Sequence, residues 1–339
     1  MVLVQVVASA APAPEIDALF QTTEGWNGAD GSHSVDLGGG KILWTYADTI
    51  VGKIADGKRT DATIVNNTVG IQERGKVTFT VKRDAAGKPE ALIVPADGKG
   101  WYWIQSGMVS AGKLYLFMSQ IDKDKGDGVF AFKQIGEWIG EIPNYKENPL
   151  KWKVNQVKIP FADYSKPRGL TFGGGVAEKG GDFYVYGTEA GKILTARVPK
   201  KSVLDFDKWR FFDGTNWTLD WRLAAGKAKD FADNCSCTYD SKLKKWLLVY
   251  TENGLSSKIM VRSGANPWGP WSEPEVAYDS PEMRRDKNLF CYAAMAHGVL
   301  QKPGELVISY EVNSFDFWQI FRDPTLYWPQ FVRVKLKTS

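Results

Sequence analysis

The feature that most constrains the fold is a strand that returns five times. Residues 41–48 (Lys-Ile-Leu-Trp-Thr-Tyr-Ala-Asp), 113–120 (Lys-Leu-Tyr-Leu-Phe-Met-Ser-Gln), 182–189 (Asp-Phe-Tyr-Val-Tyr-Gly-Thr-Glu), 245–252 (Lys-Trp-Leu-Leu-Val-Tyr-Thr-Glu) and 305–313 (Glu-Leu-Val-Ile-Ser-Tyr-Glu-Val-Asn) are the five copies. They end at Asp48, Gln120, Glu189, Glu252 and Asn313, at intervals of 72, 69, 63 and 61 residues. Each is rich in aromatic and aliphatic side chains on both faces, as a strand buried between layers must be. A period of this size fits a four-stranded propeller blade with decorated loops. No long stretch carries apolar residues at helical spacing, so helices are expected to be few.

Other elements recur in phase. Before each copy lies a candidate innermost strand, at 32–37, 104–109, 171–177, 235–239 and 292–299. A further strand follows the copy, as at 192–198 and 258–263, and a Trp-bearing segment (Trp152, Trp209, Trp268 with Trp271) closes the unit. Large aromatics there can wedge between neighbouring blades. Five units predict an all-β fold: a five-bladed β-propeller of four-stranded antiparallel blades around a central channel. A C-terminal strand at 330–336 is expected to join the first blade and close the ring, leaving no open edge. Residues 15–339 then form one domain.

Residues 1–14 read Met-Val-Leu-Val-Gln-Val-Val-Ala-Ser-Ala-Ala-Pro-Ala-Pro. The apolar run is too short to span a bilayer, and Ala8-Ser9-Ala10 resembles a small-residue cleavage site. The segment predicts a signal peptide or a disordered tail, and with the former an exported protein, secreted or periplasmic. The formal charge of +4 comes from scattered Lys and Arg, with no basic stripe of the kind nucleic-acid binding needs. Neither nucleic acid nor membrane is an expected partner, and a monomer is expected. Cys235, Cys237 and Cys291 are too few for a disulfide scaffold. They read as buried apolar residues, with one bridge open between Cys291 and either of the others. With only His33 and His297 to join them, a zinc site is not expected. No cofactor is expected, apart from a structural cation that a central channel could hold.

Two histidines leave little room for a nucleophilic triad, and no Gly-x-Ser-x-Gly elbow, Walker loop or metalloprotease motif occurs. Carboxylates are the chemistry on offer. In the propeller expectation the ends of inner strands converge, so acids far apart in sequence meet. Asp30 sits between glycines (Gly28-Ala-Asp-Gly) before the strand at 32–37, and Asp48 ends the strand at 42–47. Glu189 and Glu252 end repeat-equivalent strands, Glu311 lies near the fifth, and Asp233 opens the fourth inner strand. Trp26, Trp101, Trp103 and Tyr292 are expected near the same rim. Paired carboxylates with aromatic faces suit glycoside hydrolysis, in which one acid protonates the leaving oxygen and the other is base or nucleophile. Each has a structural alternative: Asp30 as a turn residue, Asp48 and Glu311 as partners of loop backbone, His297 as a packed core histidine. Gln120 interrupts the ring of acids, so the repeat position does not require one.

Four segments are familiar together: Gly28-Ala-Asp-Gly-Ser, Leu43-Trp-Thr-Tyr-Ala-Asp-Thr, Asn266-Pro-Trp-Gly-Pro-Trp-Ser and Leu306-Val-Ile-Ser-Tyr-Glu-Val-Asn-Ser. They resemble a domain-of-unknown-function family of secreted bacterial five-bladed propellers, some of whose members are endo-D-arabinanases. The resemblance runs from about residue 25 to 336. The architecture is also similar to the arabinanase, xylosidase and invertase clans, where an Asp at the first inner strand is base or nucleophile and a Glu from a later blade is the acid. The resemblance implies Asp30 as base, Glu252 or Glu189 as acid, and Asp48 or Asp233 as an orienting carboxylate. Trp26, Trp101, Trp103, Tyr292, His297 and Glu311 would line the substrate. The sequence departs from the invertase pattern, having no Asn-Asp-Pro-Asn, and Arg322-Asp323-Pro324 lies too near the C-terminus to serve as the Arg-Asp-Pro signature. The expected activity is cleavage of an arabinan-like or other furanose-rich polysaccharide. The rival is a propeller that binds carbohydrate without cleaving it.

Overall fold

The structure is a computed structural model that describes residues 5–126, 128–162, 164, 170–226 and 228–337. Among them the fold is all-β, and the two α-helical segments, Pro14–Asp17 and Gln319–Arg322, are four residues each. No helix among the described residues is long and apolar enough to cross a membrane. The chain divides into two compact units, one of residues 15–169 with 311–329, the other of residues 1–14, 170–310 and 330–339.

In the unit that begins at residue 15, one sheet runs His33–Gly38, Lys41–Tyr46, Thr68–Glu73, Lys76–Thr80, and another Trp101–Ser110, Lys113–Lys123, Phe132–Ile142, Asn155–Lys158. Both are up-and-down antiparallel sheets of four strands, as the repeat requires. Val35, Leu43 and Val69 from the first pack with Ile104, Leu114, Leu116 and Met118 from the second in one buried cluster. The runs that looked apolar on both faces are therefore strands with a neighbour on each side. A three-stranded sheet of Glu24–Ala29, Thr49–Ala55 and Lys58–Val65 was not foreseen. It inserts a hairpin between the second and third strands of the first sheet, inside the longest interval of the repeat. Its turn is Asp56-Gly57, with φ 50° and 69°, the paired positive values of a two-residue type I′ connection.

The other unit holds a five-stranded sheet, in order Thr171–Lys179, Asp182–Glu189, Lys192–Pro199, Arg210–Phe212, Trp217–Thr218, and a four-stranded one, in order Cys235–Asp240, Lys245–Thr251, Lys258–Gly264, Glu275–Asp279. Tyr184, Tyr186 and Ile193 of the former meet Cys235, Cys237, Trp246 and Leu248 of the latter. Two of the cysteines are thus packing residues. All three thiols are buried and unbridged, so the bridge left open for Cys291 does not form. Instead Ser280 Oγ donates to Cys291 Sγ at 3.0 Å. Burial pushes the Cys237 thiol up to about 12 and that of Cys291 up to about 11, which makes them inert packing groups.

The last sheet corrects the expected closure. Its order is Val7–Pro12, Pro329–Leu336, Glu305–Ser314, Leu289–Ala296. The C-terminal strand therefore joins the final repeat rather than the first, because a short connection through Gln319–Arg322 turns the chain straight back beside Glu305–Ser314. Part of the segment read as a leader or tail is the outer strand, with Val7 opposite Leu336 and Pro12 opposite Val332. Glu275 fixes its start, accepting from Val6 N–H at 2.6 Å and Val7 N–H at 3.1 Å.

Candidate active site

Asp30 follows the strand Glu24–Ala29, and Asp48 lies between Lys41–Tyr46 and Thr49–Ala55. Two backbone bonds hold the residues opposite each other. The Asp30 N–H donates to the Asp48 carbonyl at 3.2 Å, and the Ala47 N–H donates to the Asp30 carbonyl at 2.9 Å. Both side chains are half-buried. Two residues before Asp30, Gly28 lets the strand pass close to the Tyr327 backbone: at φ 126° a Cβ there would lie 2.3 Å from the Tyr327 carbonyl oxygen, so no side chain fits.

Asp48 is oriented from two directions. The Trp103 indole N–H donates to its Oδ1 at 2.9 Å, and Asn66 Nδ2 donates to the same oxygen at 3.1 Å. Burial nevertheless pushes its carboxyl up to about 6, against the pull of those two bonds. It therefore exchanges its proton near neutral pH, as a general acid or base must.

Glu311, on Glu305–Ser314, lies behind this pair and is fully buried. Its Oε1 accepts from the Ser32 N–H at 3.2 Å. Burial first, then the negative charge of Asp30, pushes its carboxyl up to about 8 against the Ser32 bond. Glu311 thus carries a proton at neutral pH. Tyr46 is buried beside it, and its phenol is pushed well above its ordinary range by burial and by the charge of Glu311. Neither Tyr46 OH nor Glu311 Oε2 has a hydrogen-bond partner among the described residues. His33 is buried too, and burial lowers its imidazole to about 3, so it is neutral.

The sequence-derived residues thus separate by unit. Asp30, Asp48, Trp103 and Glu311 come together in the unit that begins at residue 15. Trp26 belongs to that unit as a core side chain, not a rim residue: it is stacked on Phe79 at 4.0 Å and donates to Thr68 Oγ1 at 3.1 Å. Trp101 is half-buried. The other unit holds Glu189, Asp233, Glu252, Tyr292 and His297. Glu252 accepts from Ser256 Oγ at 3.1 Å and lies 3.9 Å from Lys258 Nζ. Asp233 is exposed and accepts from Thr188 Oγ1. Tyr292 is half-buried, 5.4 Å from the ring of Phe290. His297 is packed in the core, 2.8 Å from Ser309 Oγ and 5.6 Å from the Phe331 ring. Gln120 shows what the repeat position does without an acid: it donates to Asp97 and to the Lys99 carbonyl and accepts from the Trp138 indole. No group of three or more His, Cys, Asp or Glu among the described residues is placed to hold a metal ion. Sequence reasoning did not select Asn66, which holds Asp48, nor the buried neighbours Tyr46 and Arg59. Of the three only Arg59 carries a local clue, as a cation inside an alternating strand.

Among solved structures the fold is similar to that of a Bacteroides ovatus ATCC 8483 protein provisionally described as a hydrolase. The TM-score is 0.79 at 18% identity, covering 96% of this chain and 90% of that one. It is also similar to an α-L-arabinofuranosidase (CtGH43) of Clostridium thermocellum, with TM-score 0.52 at 13% identity over 91% and 92% of the two chains. A xylan β-1,4-xylosidase of Bacillus halodurans gives TM-score 0.51 at 10% identity, covering 87% of this chain and 50% of that one. At these identities the likeness is one of fold. No curated protein sequence matches the chain. A family profile does match, over residues 14–336, and the chain therefore belongs to the family described as Domain of unknown function (DUF5005).

Proposed function

We propose that this protein is a glycoside hydrolase of five-bladed propeller architecture, exported from the cell, that cleaves an arabinan-like or other furanose-rich polysaccharide with paired carboxylates. The observation that carries the reading is the backbone-bonded apposition of Asp30 and Asp48, half-buried, with an indole on one of them. Asp30 is the base or nucleophile. Asp48, poised near pH 6, orients it or shuttles the proton. Protonated Glu311 places no second negative charge behind Asp30. Glu189 and Glu252 stand as candidates for the general acid on the resemblance alone.

One observation favours the rival, a carbohydrate-binding propeller without catalysis. Asp48 already satisfies two donors and can serve as a rigid acceptor as readily as a proton carrier. A screen of the purified protein against a panel of polysaccharides, arabinans included, decides between them. Release of new reducing ends supports hydrolysis; binding without release supports the rival.

A further inference from the structure

Among the described residues the exposed large apolar side chains are mostly aliphatic, with Tyr239 an aromatic of the other unit, but four aromatics fall in one region. In the unit that begins at residue 15, Phe130 (50% exposed) and Phe315 (52%) are in ring contact, and Phe317 (38%) and Trp318 (64%) follow two and three residues after Phe315 in the chain. The first pair is continuous with the carboxylates. Trp103, whose indole N–H holds Asp48, packs edge-to-face with Phe132 at 4.7 Å. Phe132 is 6.3 Å from Phe130, and Phe130 packs edge-to-face with Phe315 at 6.1 Å. Two residues on, Phe317, Trp318 and Phe321 form a second cluster at 5.4–5.8 Å.

The segment that carries this second cluster is rigid. Buried Arg59 donates through Nε to the Asn27 carbonyl at 2.9 Å and through Nη2 to the Leu326 carbonyl at 2.8 Å; Nη1 donates to the Ile320 carbonyl. Ser314 Oγ donates to Gln319 Oε1 at 2.7 Å, and Asp316 pairs with Arg322. Trp318 is thus a large exposed ring on a backbone held from several sides, which lowers the cost of ordering this segment on a ligand. Contiguous exposed apolar surface marks an interaction site. Flat rings whose edges pack on one another, among the Asp316, Gln319 and Arg322 side chains, suit a ligand with apolar C–H faces and hydroxyl rims.

We propose that Trp103, Phe132, Phe130, Phe315 and Trp318 form a stacking platform for an extended glycan chain leading away from Asp30 and Asp48. The proposal rests on the carbohydrate reading of that site, and it adds that the ligand is a polymer gripped over several sugar units rather than a short glycoside. It does not depend on cleavage.

Affinity electrophoresis of Asp30→Asn protein in gels containing each soluble polysaccharide of the panel tests it, with Phe315→Ala and Trp318→Ala added singly. Both rings are exposed, so folding should be kept, as circular dichroism would verify. Leu219→Ala, an exposed aliphatic of the other unit, is the control. The expected result is retardation by at least one polymer, weakened about tenfold by each aromatic substitution and unchanged by the control. Equal retardation of all variants, or none by any polymer, overturns the platform. So does a self-association lost on Trp318→Ala, which would assign the rings to a second copy of this chain. Glycan binding lost with the rings in a protein whose wild type releases no sugar would uphold the platform and remove only the hydrolytic reading.

Discussion

Glu311 is the residue whose chemistry can be checked without knowing any substrate. Its carboxyl is raised to about 8 in the folded protein from an ordinary 4.5. Between those values the folded chain holds a proton that the unfolded chain has lost, so stability falls as pH rises through that window. His33 acts oppositely. Lowered to about 3, it stays neutral when folded, while the unfolded chain gains a proton below about 6.5, so its contribution is lost as pH falls. Between about 4.5 and 6.5 His33 opposes Glu311, while Asp48, raised to about 6, adds to the Glu311 slope in the lower part of that range; pH 6.5–8 is left as the window that Glu311 dominates. Thermal unfolding across that window should show a loss of roughly 1–2 kcal/mol, and Glu311→Gln should flatten it. An equal slope in the variant would mean that Glu311 is ionised in the native state. None of this was legible in the sequence. Glu311 read as a substrate-lining residue near the fifth repeat, or else a loop partner, and in the fold it is buried where it meets the Ser32 N–H across 279 positions of chain.

At the scale of elements, two features carry consequences. Arg59 joins the strand Lys58–Val65 to the carbonyls around the helix Gln319–Arg322 and stacks 5.3 Å from the Trp328 ring. Arg59→Met should cost about 3 kcal/mol, since several buried carbonyls lose charged donors at once. Hydrogen exchange should quicken over residues 318–327 while Leu114–Phe117 stays protected; unchanged exchange there would deny Arg59 its role. The strand Val7–Pro12 covers the edge of Pro329–Leu336. A chain lacking residues 1–12 should melt several degrees lower and associate through the bared edge, as scattering during the melt would reveal. Identical melting would show that the strand contributes nothing. The repeat strands were legible because each is an apolar run of the right length ending at a spaced polar residue. The hairpin of Thr49–Ala55 and Lys58–Val65 carries its own turn signal in Asp56-Gly57, but as an insertion it has no counterpart in the other repeats and so lies outside the period. The partner of the C-terminal strand was not legible, since two repeats offered equally good edges.

At the scale of the whole molecule, the period of about 60–70 residues predicted a five-bladed propeller of four-stranded antiparallel sheets; the structure bears out its all-β class, and solved structures of low identity have a similar fold. What it could not give is which acids work together. Equivalent strand ends proved inequivalent: Gln120 is a structural hub, Glu252 is tied to its own turn by Ser256 and Lys258, and Asp48 is drawn beside Asp30. Position in a repeat fixes backbone, whereas the state of a carboxyl depends on what desolvates it and which donors reach it.

The proposed role of Asp30 in catalysis is tested most directly by one comparison. Reducing ends released from the best polysaccharide of the panel are measured for wild type and Asp30→Asn, with both melting temperatures recorded alongside. The account predicts a rate lower by about 10²–10⁴-fold at an unchanged melting temperature. Full cleavage by a folded Asp30→Asn protein would contradict it.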